Sequence, residues 1–304
     1  MRTPSLIPVF LCAFGAVAVA RPPIQLSLPA SHDNTMFNYG DIPAPGAVGT
    51  PNSGDLSNGA GDGIFAGRTL TNGVRRGLIM FDLSSIPAGS TITTATLSLV
   101  CIRAGSTFTV REDLHRLIAS WGEAGSISDG GGGGAAQAGD ATWLYRFYTS
   151  SSWTTPGGDF SATVSATAQV GLPDTYTWSG PGLLADVQGW VNVPATNFGW
   201  IVVGEEVPVF VTEAIGAAPI STVKMFGSRE NTLPQARPVL SVTYTPPCPG
   251  DINQDGVVNT FDLGTLLSHF GQSVPVGTLG DVNNDGTVNT FDLGILLSHF
   301  GASC

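Results

Sequence analysis

The end of the chain says one thing twice. "GDINQDGVVNTFDLGTLLSHFG" runs from Gly250 to Gly271, and "GDVNNDGTVNTFDLGILLSHFG" from Gly280 to Gly301. Each copy sets an acidic, glycine-punctuated stretch ahead of a short apolar-striped segment. Two such units can pack face to face about a pseudo-two-fold axis. That constrains the fold of this end more tightly than any other feature of the sequence.

Counted from Asp251, oxygen-bearing side chains fall at positions 1, 3, 5, 9 and 12: Asp251, Asn253, Asp255, Asn259 and Asp262, with Gly256 at 6 and Val257 at 7. The second copy gives Asp281, Asn283, Asp285, Gly286, Thr287, Asn289 and Asp292 in the same places. This is the EF-hand calcium-loop pattern. Calcium is a hard ion that takes about six to eight oxygens. Odd positions of a tight loop point inward, glycine at position 6 permits the sharp turn, and the carbonyl of position 7 (Val257, Thr287) joins the shell. The bland alternative is a pair of Asn/Asp-rich turns that bind nothing. Two copies with identical internal spacing, each followed by the same helix, argue against it. Pro246, Pro247 and Pro249 leave no room for an entering helix, so each loop is followed by one helix only. Leu263, Leu266, Leu267 and Phe270 make one amphipathic face, and Leu293, Leu296, Leu297 and Phe300 the other. Gly271 and Gly301 stop the helices.

Residues 248–304 thereby resemble a type I dockerin: two loop–helix repeats, Asp at loop positions 1, 5 and 12, and a hydrophobic residue (Val258, Val288) at position 8. The resemblance implies two bound calcium ions and a cohesin-like protein, or failing that a cell-surface component, as partner. In that family, loop positions 10 and 11 and the following helix face read the partner. Here those positions are Thr260-Phe261 and Thr290-Phe291. Phenylalanine departs from the small hydroxyl residues frequent in the family's cellulosomal members, and core packing of both rings is the competing reading. The near-identical repeats would present the same surface in two orientations. A domain this small buries little and needs bracing. Cys248 lies just before the first loop and Cys304 just after the second helix. If those ends meet, a disulfide closes the domain; otherwise the thiols are free or intermolecular.

"MRTPSLIPVFLCAFGAVAVA", residues 1–20, reads as an export signal, with Arg2, an apolar run and small residues at Ala18-Val19-Ala20. An apolar run of about 14 residues is short for a membrane span, and no longer one follows. Export permits disulfides. The chain carries 23 acidic against 12 basic side chains, and Lys224 is its one lysine. That balance speaks against a nucleic-acid partner, which needs a basic face. With 40 Gly, 21 Pro and 42% apolar residues, the composition is that of a turn-rich β protein and not of a disordered chain.

Residues 21–246 carry short alternating runs such as "RGLIMFDL", "ATLSLVCIR", "FGWIVVG" and "PVLSVTY", separated by turn residues. They predict a mainly β domain, a sandwich of about ten strands. Cys101 falls in register with Ala95, Leu97 and Leu99, on an apolar strand face, and reads as a buried free thiol. "LLADVQGWV" (183–191) has a helical stripe at Leu184, Val187 and Val191. The phrases "LSNGAGDGIFAGRT", "RRGLIMFDLSSIPAGSTITTATLSL", "GDATWLYRFY", "WTTPGGDF" and "FGSRE…RPVLSVTY" together resemble DNRLRE-domain proteins over about residues 24–245. The resemblance implies an exported jelly-roll-like β-sandwich akin in shape to carbohydrate-binding modules.

Sugars are held by aromatic faces and a few orienting polar groups. Trp143, Tyr145 and Trp153, in an aromatic-rich stretch beside flexible loops, are the glycan-binding candidates; a core strand would show the same alternation. Trp121, Trp178, Trp190 and Trp200 read as core. Asp33 or Asn34 could serve a structural calcium near the first strand. Carboxylates are present (Glu112, Asp113, Glu123, Asp140, Asp159, Asp186, Glu205, Glu206), but none forms a spaced hydrolase signature, and neither a G-x-S-x-G elbow nor an H-E-x-x-H pair occurs. His32 and His115 read as surface or hydrogen-bonded residues. The expectation is a secreted, non-catalytic, two-domain accessory protein that brings a polysaccharide- or surface-binding module to a docking partner. A structural surface-layer or matrix component, and an unrecognised glycan-active hydrolase, are the alternatives.

Overall fold

Strict alternation shapes the larger part of the chain. In Thr91–Ala104 the side chains of Ala95, Leu97, Leu99 and Cys101 are buried while their neighbours are not, as a strand with one face on a core requires. The computed structural model describes residues 23–39, 54–213 and 216–304. The predicted export segment, with Cys12, lies outside them. Two compact units result, Pro23–Pro246 and Pro247–Cys304.

The first unit is mainly β. Its principal strands are β1 (Ile24–Asn38), β2 (Gly63–Arg68), β3 (Val74–Phe81), β4 (Thr91–Ala104), β5 (Val110–Leu117), β6 (Phe160–Val170), β7 (Asp174–Ser179), β8 (Trp200–Gly204), β9 (Lys224–Gly227) and β10 (Val239–Thr245). Every pairing among them is antiparallel. β1 is long enough to serve two partners. Ile24–Pro29 pairs with β10, the register shifts between Ala30 and His32, and the rest pairs with β3. β2 likewise pairs with β9 through Gly63–Ala66 and with β3 through Gly67 and Arg68. The path β1–β10–β4–β9–β2–β3 therefore returns to β1, closing six strands into a barrel-like ring. β8, β5 and β6 extend it beyond β3, and β7 pairs with β4. The sequence leads to a mainly β fold, as found. The ring closure is what a simple two-sheet sandwich lacks, because alternation does not reveal that one strand is shared by two sheets.

The main core packs Ile64, Ile79, Phe81, Leu97, Leu99, Trp178, Trp200, Phe226 and Leu240 together. The helix α1 (Pro181–Asn192) lays Leu183, Val187, Trp190 and Val191 on the same core. Leu184, expected in that stripe, is only partly buried. The ring of Trp190 meets that of Trp200 at 4.5 Å. A second core, of Leu78, Leu117 and Ile201 with Trp121, Ala141 and Trp153, forms where the excursion between β5 and β6 folds back. Cys101 is buried and unpaired, as its register predicts.

The second unit is two loop–helix repeats, with α2 (Thr260–Ser268) and α3 (Thr290–Ser298). They interlock crosswise. Val258 of the first loop exchanges backbone hydrogen bonds with Gly301 and Ala302 after α3, while Val288 exchanges them with Gly271 and Gln272 after α2. Gly280 has φ +104° and lies so close to α2 that a Cβ there would stand 2.8 Å from the Leu266 Cα. Val258, Leu266, Val288 and Leu296 are fully buried. The helical stripe is narrower than the sequence suggests: Leu267, Phe270, Leu297 and Phe300 are exposed. Two nine-residue helices bury one line of contact each, so only Leu263 and Leu266, and Leu293 and Leu296, turn inward.

Candidate functional site

The two acidic loops are built by the helices that follow them. Asn259 caps α2, its side-chain oxygen accepting from the Phe261 N–H at 2.7 Å. Asp262, fully buried, returns the bond: Oδ2 accepts from the Asn259 N–H at 2.9 Å. Its Oδ1 accepts from Ile252 and Asn253, at 2.8 and 3.1 Å, and so pins the loop entry to the helix start. Asn289 and Asp292 repeat this arrangement, with Asp292 Oδ1 taking Val282 and Asn283. The capping box thus holds the carboxylate of position 12 where the loop needs it.

Asp251 accepts from the Asp255 and Gly256 N–H groups at 3.1 and 3.0 Å, wrapping the loop around its own first residue. One carboxylate oxygen from each of Asp251, Asp255 and Asp262 lies within 4.8 Å of the others. Asn253 binds Asp255 Oδ2 at 2.9 Å, and Asn259 Nδ2 donates to the Val257 carbonyl at 3.0 Å. The Asn253 amide, then the Val257 N–H, hold the Asp255 carboxyl below its ordinary range. In the second loop Asn283 binds Asp285 and Asn289 donates to the Thr287 carbonyl in the same way. Asp281 differs in one respect: Oδ2 accepts from both Gly277 and Gly286, each at 2.9 Å. Burial pushes its carboxyl up, but these N–H donors outweigh burial and hold it lower. The sulfurs of Cys248 and Cys304 also lie within 4.8 Å of an Asp251 oxygen, but they are tied up in a disulfide. The loop positions offer hard oxygens, with three carboxylates in the sequence of each loop. That set fits calcium and leaves soft metals without a ligand.

The ends of the unit do meet. Cys248 and Cys304 form a disulfide, with Cα atoms 5.7 Å apart. The partner-reading candidates lie on the outside. Phe261 and Phe291 are 73% and 74% exposed, and Thr260 and Thr290 are exposed beside them. Core packing of these two rings is therefore corrected. The capping box commits position 11 to the first helical turn, pointing away from the Val258–Leu266 line. Leu267, Phe270, Leu297 and Phe300 are exposed as well; nothing in their spacing alone set them apart from core residues.

In the β unit the glycan candidates fare unequally. Trp153 is buried in the second core, its indole N–H donating to the Thr142 carbonyl at 2.9 Å, and offers no face to a sugar. Trp143 is half-buried, with the Arg76 guanidinium 4.7 Å over its ring. Tyr145 is half-buried in the short hairpin Tyr145–Phe147/Ser151–Ser152, edge-on to Tyr148. Trp121, Trp178, Trp190 and Trp200 are core, as expected.

Apart from Glu112, whose buried carboxyl oxygens accept no hydrogen bond among the described residues, the candidate acids are taken up individually. Asp140 accepts from Ala124 and Gln137, Asp159 from Thr154 and Thr155, and Glu206 binds Arg76. Asp186 takes the Ser165 hydroxyl and the Trp200 indole N–H. Glu112 is fully buried, and burial pushes its carboxyl well above the usual range. Carboxylate oxygens of Asp33, Glu123 and Glu230 also converge within 4.8 Å. Arg229 stands among them, 2.8 Å from both Glu123 and Glu230, so the chain supplies its own cation there. Burial raises all three carboxyls, that of Glu123 to about 7. Asn34 Oδ1 is occupied by Thr35, Ser57 and Asn58. His115 Nδ1 is bonded to the Ser161 carbonyl at 2.9 Å.

Residues 249–301 match the family described as the dockerin type I domain. Dockerin domains bind calcium and cohesins, the latter in cellulosome-like assembly, and are typically extracellular or assembled at the cell surface. No curated protein matches the chain. Among the described residues, no helix is long and apolar enough to cross a membrane.

Proposed function

We propose that this chain is a secreted, non-catalytic accessory protein whose dockerin carries the β unit to a cohesin-like partner, in the service of extracellular polysaccharide breakdown. The carrying observation is the pair Phe261 and Phe291, presented outward at equivalent places by two calcium-type loops. Residues 251–262 and 281–292 would each hold one calcium ion. The ion supplies the charge balance that lets three carboxylates share one loop. Capping boxes, crosswise hydrogen bonds and the disulfide then keep the two aromatic side chains at a fixed spacing. In this reading the β unit is a DNRLRE-type, jelly-roll-like module; its strands shared between two sheets are compatible with that kind of fold.

The test is binding of the full chain to immobilised type I cohesins, with calcium and with a chelator. The reading expects saturable binding lost on chelation and lost in Phe261→Ala/Phe291→Ala. Binding to bacterial cell walls but to no cohesin would move the partner to a cell-surface component. Binding unaffected by chelation would contradict the dockerin mechanism.

A second reading, a structural component of a surface layer or matrix, has one observation in its favour. Five tryptophans are buried, and Trp143 lies under Arg76, so an open aromatic platform for a flat polysaccharide face is not presented by these residues.

A further inference from the structure

With the tryptophans withdrawn, the β unit still carries a cleft of mixed polar and apolar lining. It has a volume of about 580 Å³ and is lined chiefly by Arg76, Ile118, Thr154, Thr155, Asp159 and Phe160. That falls within the range of about 300–1,000 Å³ usual for small-molecule sites. We infer that this cleft binds an uncharged sugar unit, the end or a side branch of a soluble neutral glycan. This rests on the carbohydrate-binding reading of the β unit and names the site and substrate class within it.

The basic group in the cleft is already spent. Arg76 clasps Glu206 through two bonds of 2.6 and 2.8 Å, and its third nitrogen donates to the Gly157 carbonyl at 2.8 Å. Its guanidinium is stacked 4.7 Å from the Trp143 ring centroid and 5.5 Å from that of Phe160. Among the described residues lining the cleft, no second cation meets a phosphate or uronate, and the Asp159 carboxylate faces it. Charge therefore selects against anions.

What remains suits a pyranose. Asp159 Oδ2 and Oδ1 accept from the Thr154 and Thr155 N–H groups at 2.9 and 2.8 Å, and the Asp159 carbonyl accepts from the Ile118 N–H at 3.0 Å. The loop is thus fixed before a ligand arrives, and both threonines are exposed. Threonine hydroxyls on a backbone already held in place, and a carboxylate that accepts from sugar hydroxyls, give orientation at low entropic cost. Ile118, 56% exposed, and the half-buried Phe160 supply apolar surface for the C–H face of a ring. A cleft of about 580 Å³ takes a short piece of chain such as an end or a branch, where an extended platform would take a crystalline face.

The experiment is saturation-transfer NMR and calorimetry on the full chain with cellobiose, xylobiose, mannobiose, galactobiose and chitobiose, and with digalacturonate as the anionic contrast. The inference expects saturable binding of at least one neutral disaccharide and none of digalacturonate. It also expects affinity to fall at least tenfold in Thr154→Val/Thr155→Val, a near-isosteric change that keeps the wild-type circular dichroism, and in Phe160→Ala. Neutral binding that survives the double valine variant unchanged would overturn the cleft assignment and leave the carbohydrate reading standing. Preference for digalacturonate would overturn the neutral-sugar assignment. Absence of binding by every sugar would overturn both the inference and the reading beneath it.

Discussion

Phe261 shows how far one residue can be read from sequence. Its place at position 11 of a calcium-type loop was legible; its direction was not, since an aromatic beside a leucine stripe fits core and surface equally. The capping box decides, and the ring points out. Truncating an exposed side chain leaves stability within about 0.5 kcal/mol. Phe261→Ala/Phe291→Ala should therefore leave the urea midpoint unchanged while cohesin binding is lost; a large drop in midpoint would return the rings to the core. Trp153 teaches the converse. Its neighbours suggested a platform, but the excursion between β5 and β6 folds back over it, a long-range event no local pattern encodes.

Glu123 belongs to the same scale. Burial raises its carboxyl to about 7 in the folded chain, above the ordinary 4.5. The folded state then binds more protons than the unfolded state between those two values. The contribution of this group is fully present below pH ~4.5 and is lost as pH rises through ~7. Denaturant midpoints measured from pH 4.5 to 8 should fall across that window, and Glu123→Gln should flatten part of the fall. An unchanged slope in the variant would show that Glu123 titrates normally.

At the scale of elements, the two short helices were legible in start, stop and repeat, because the loop motif and closing glycines bracket them. Which leucines they bury was half legible. A stripe of i, i+3, i+4 and i+7 assumes a partner broad enough to cover it, and a unit of two nine-residue helices provides none. Asp262 ties element to loop through three backbone N–H groups. Asp262→Ala strands those donors at about 1–3 kcal/mol each where they stay buried. Urea unfolding in chelator, where metal binding is absent from the comparison, should show a loss of at least about 2 kcal/mol confined to the second unit. A variant as stable as wild type in chelator would mean that Asp262 serves the ion alone. Reducing the Cys248–Cys304 bridge should lower the same transition by about 2–4 kcal/mol, leaving the β unit untouched.

For the whole molecule, the division into a β part and a repeated α part follows from a change of hydrophobic period, from two to about three and a half, near the proline cluster at Pro246 and Pro247. The closed ring did not follow. Alternation says which face of β1 is buried; it does not say that β1 leaves β10 for β3 partway along. The cleft beside Arg76 was also invisible in the sequence, because its residues come from β3, from the end of β5 and from the loop before β6. The calcium loops, by contrast, are local in sequence and were read residue by residue. They are also where the account is most exposed. Calorimetric titration of calcium into the chelator-stripped full chain is the decisive measurement. The account predicts saturable binding to two sites, reduced to one by Asp262→Asn and abolished by Asp262→Asn/Asp292→Asn. Heats that do not saturate, or saturable binding that survives the double variant, would contradict it.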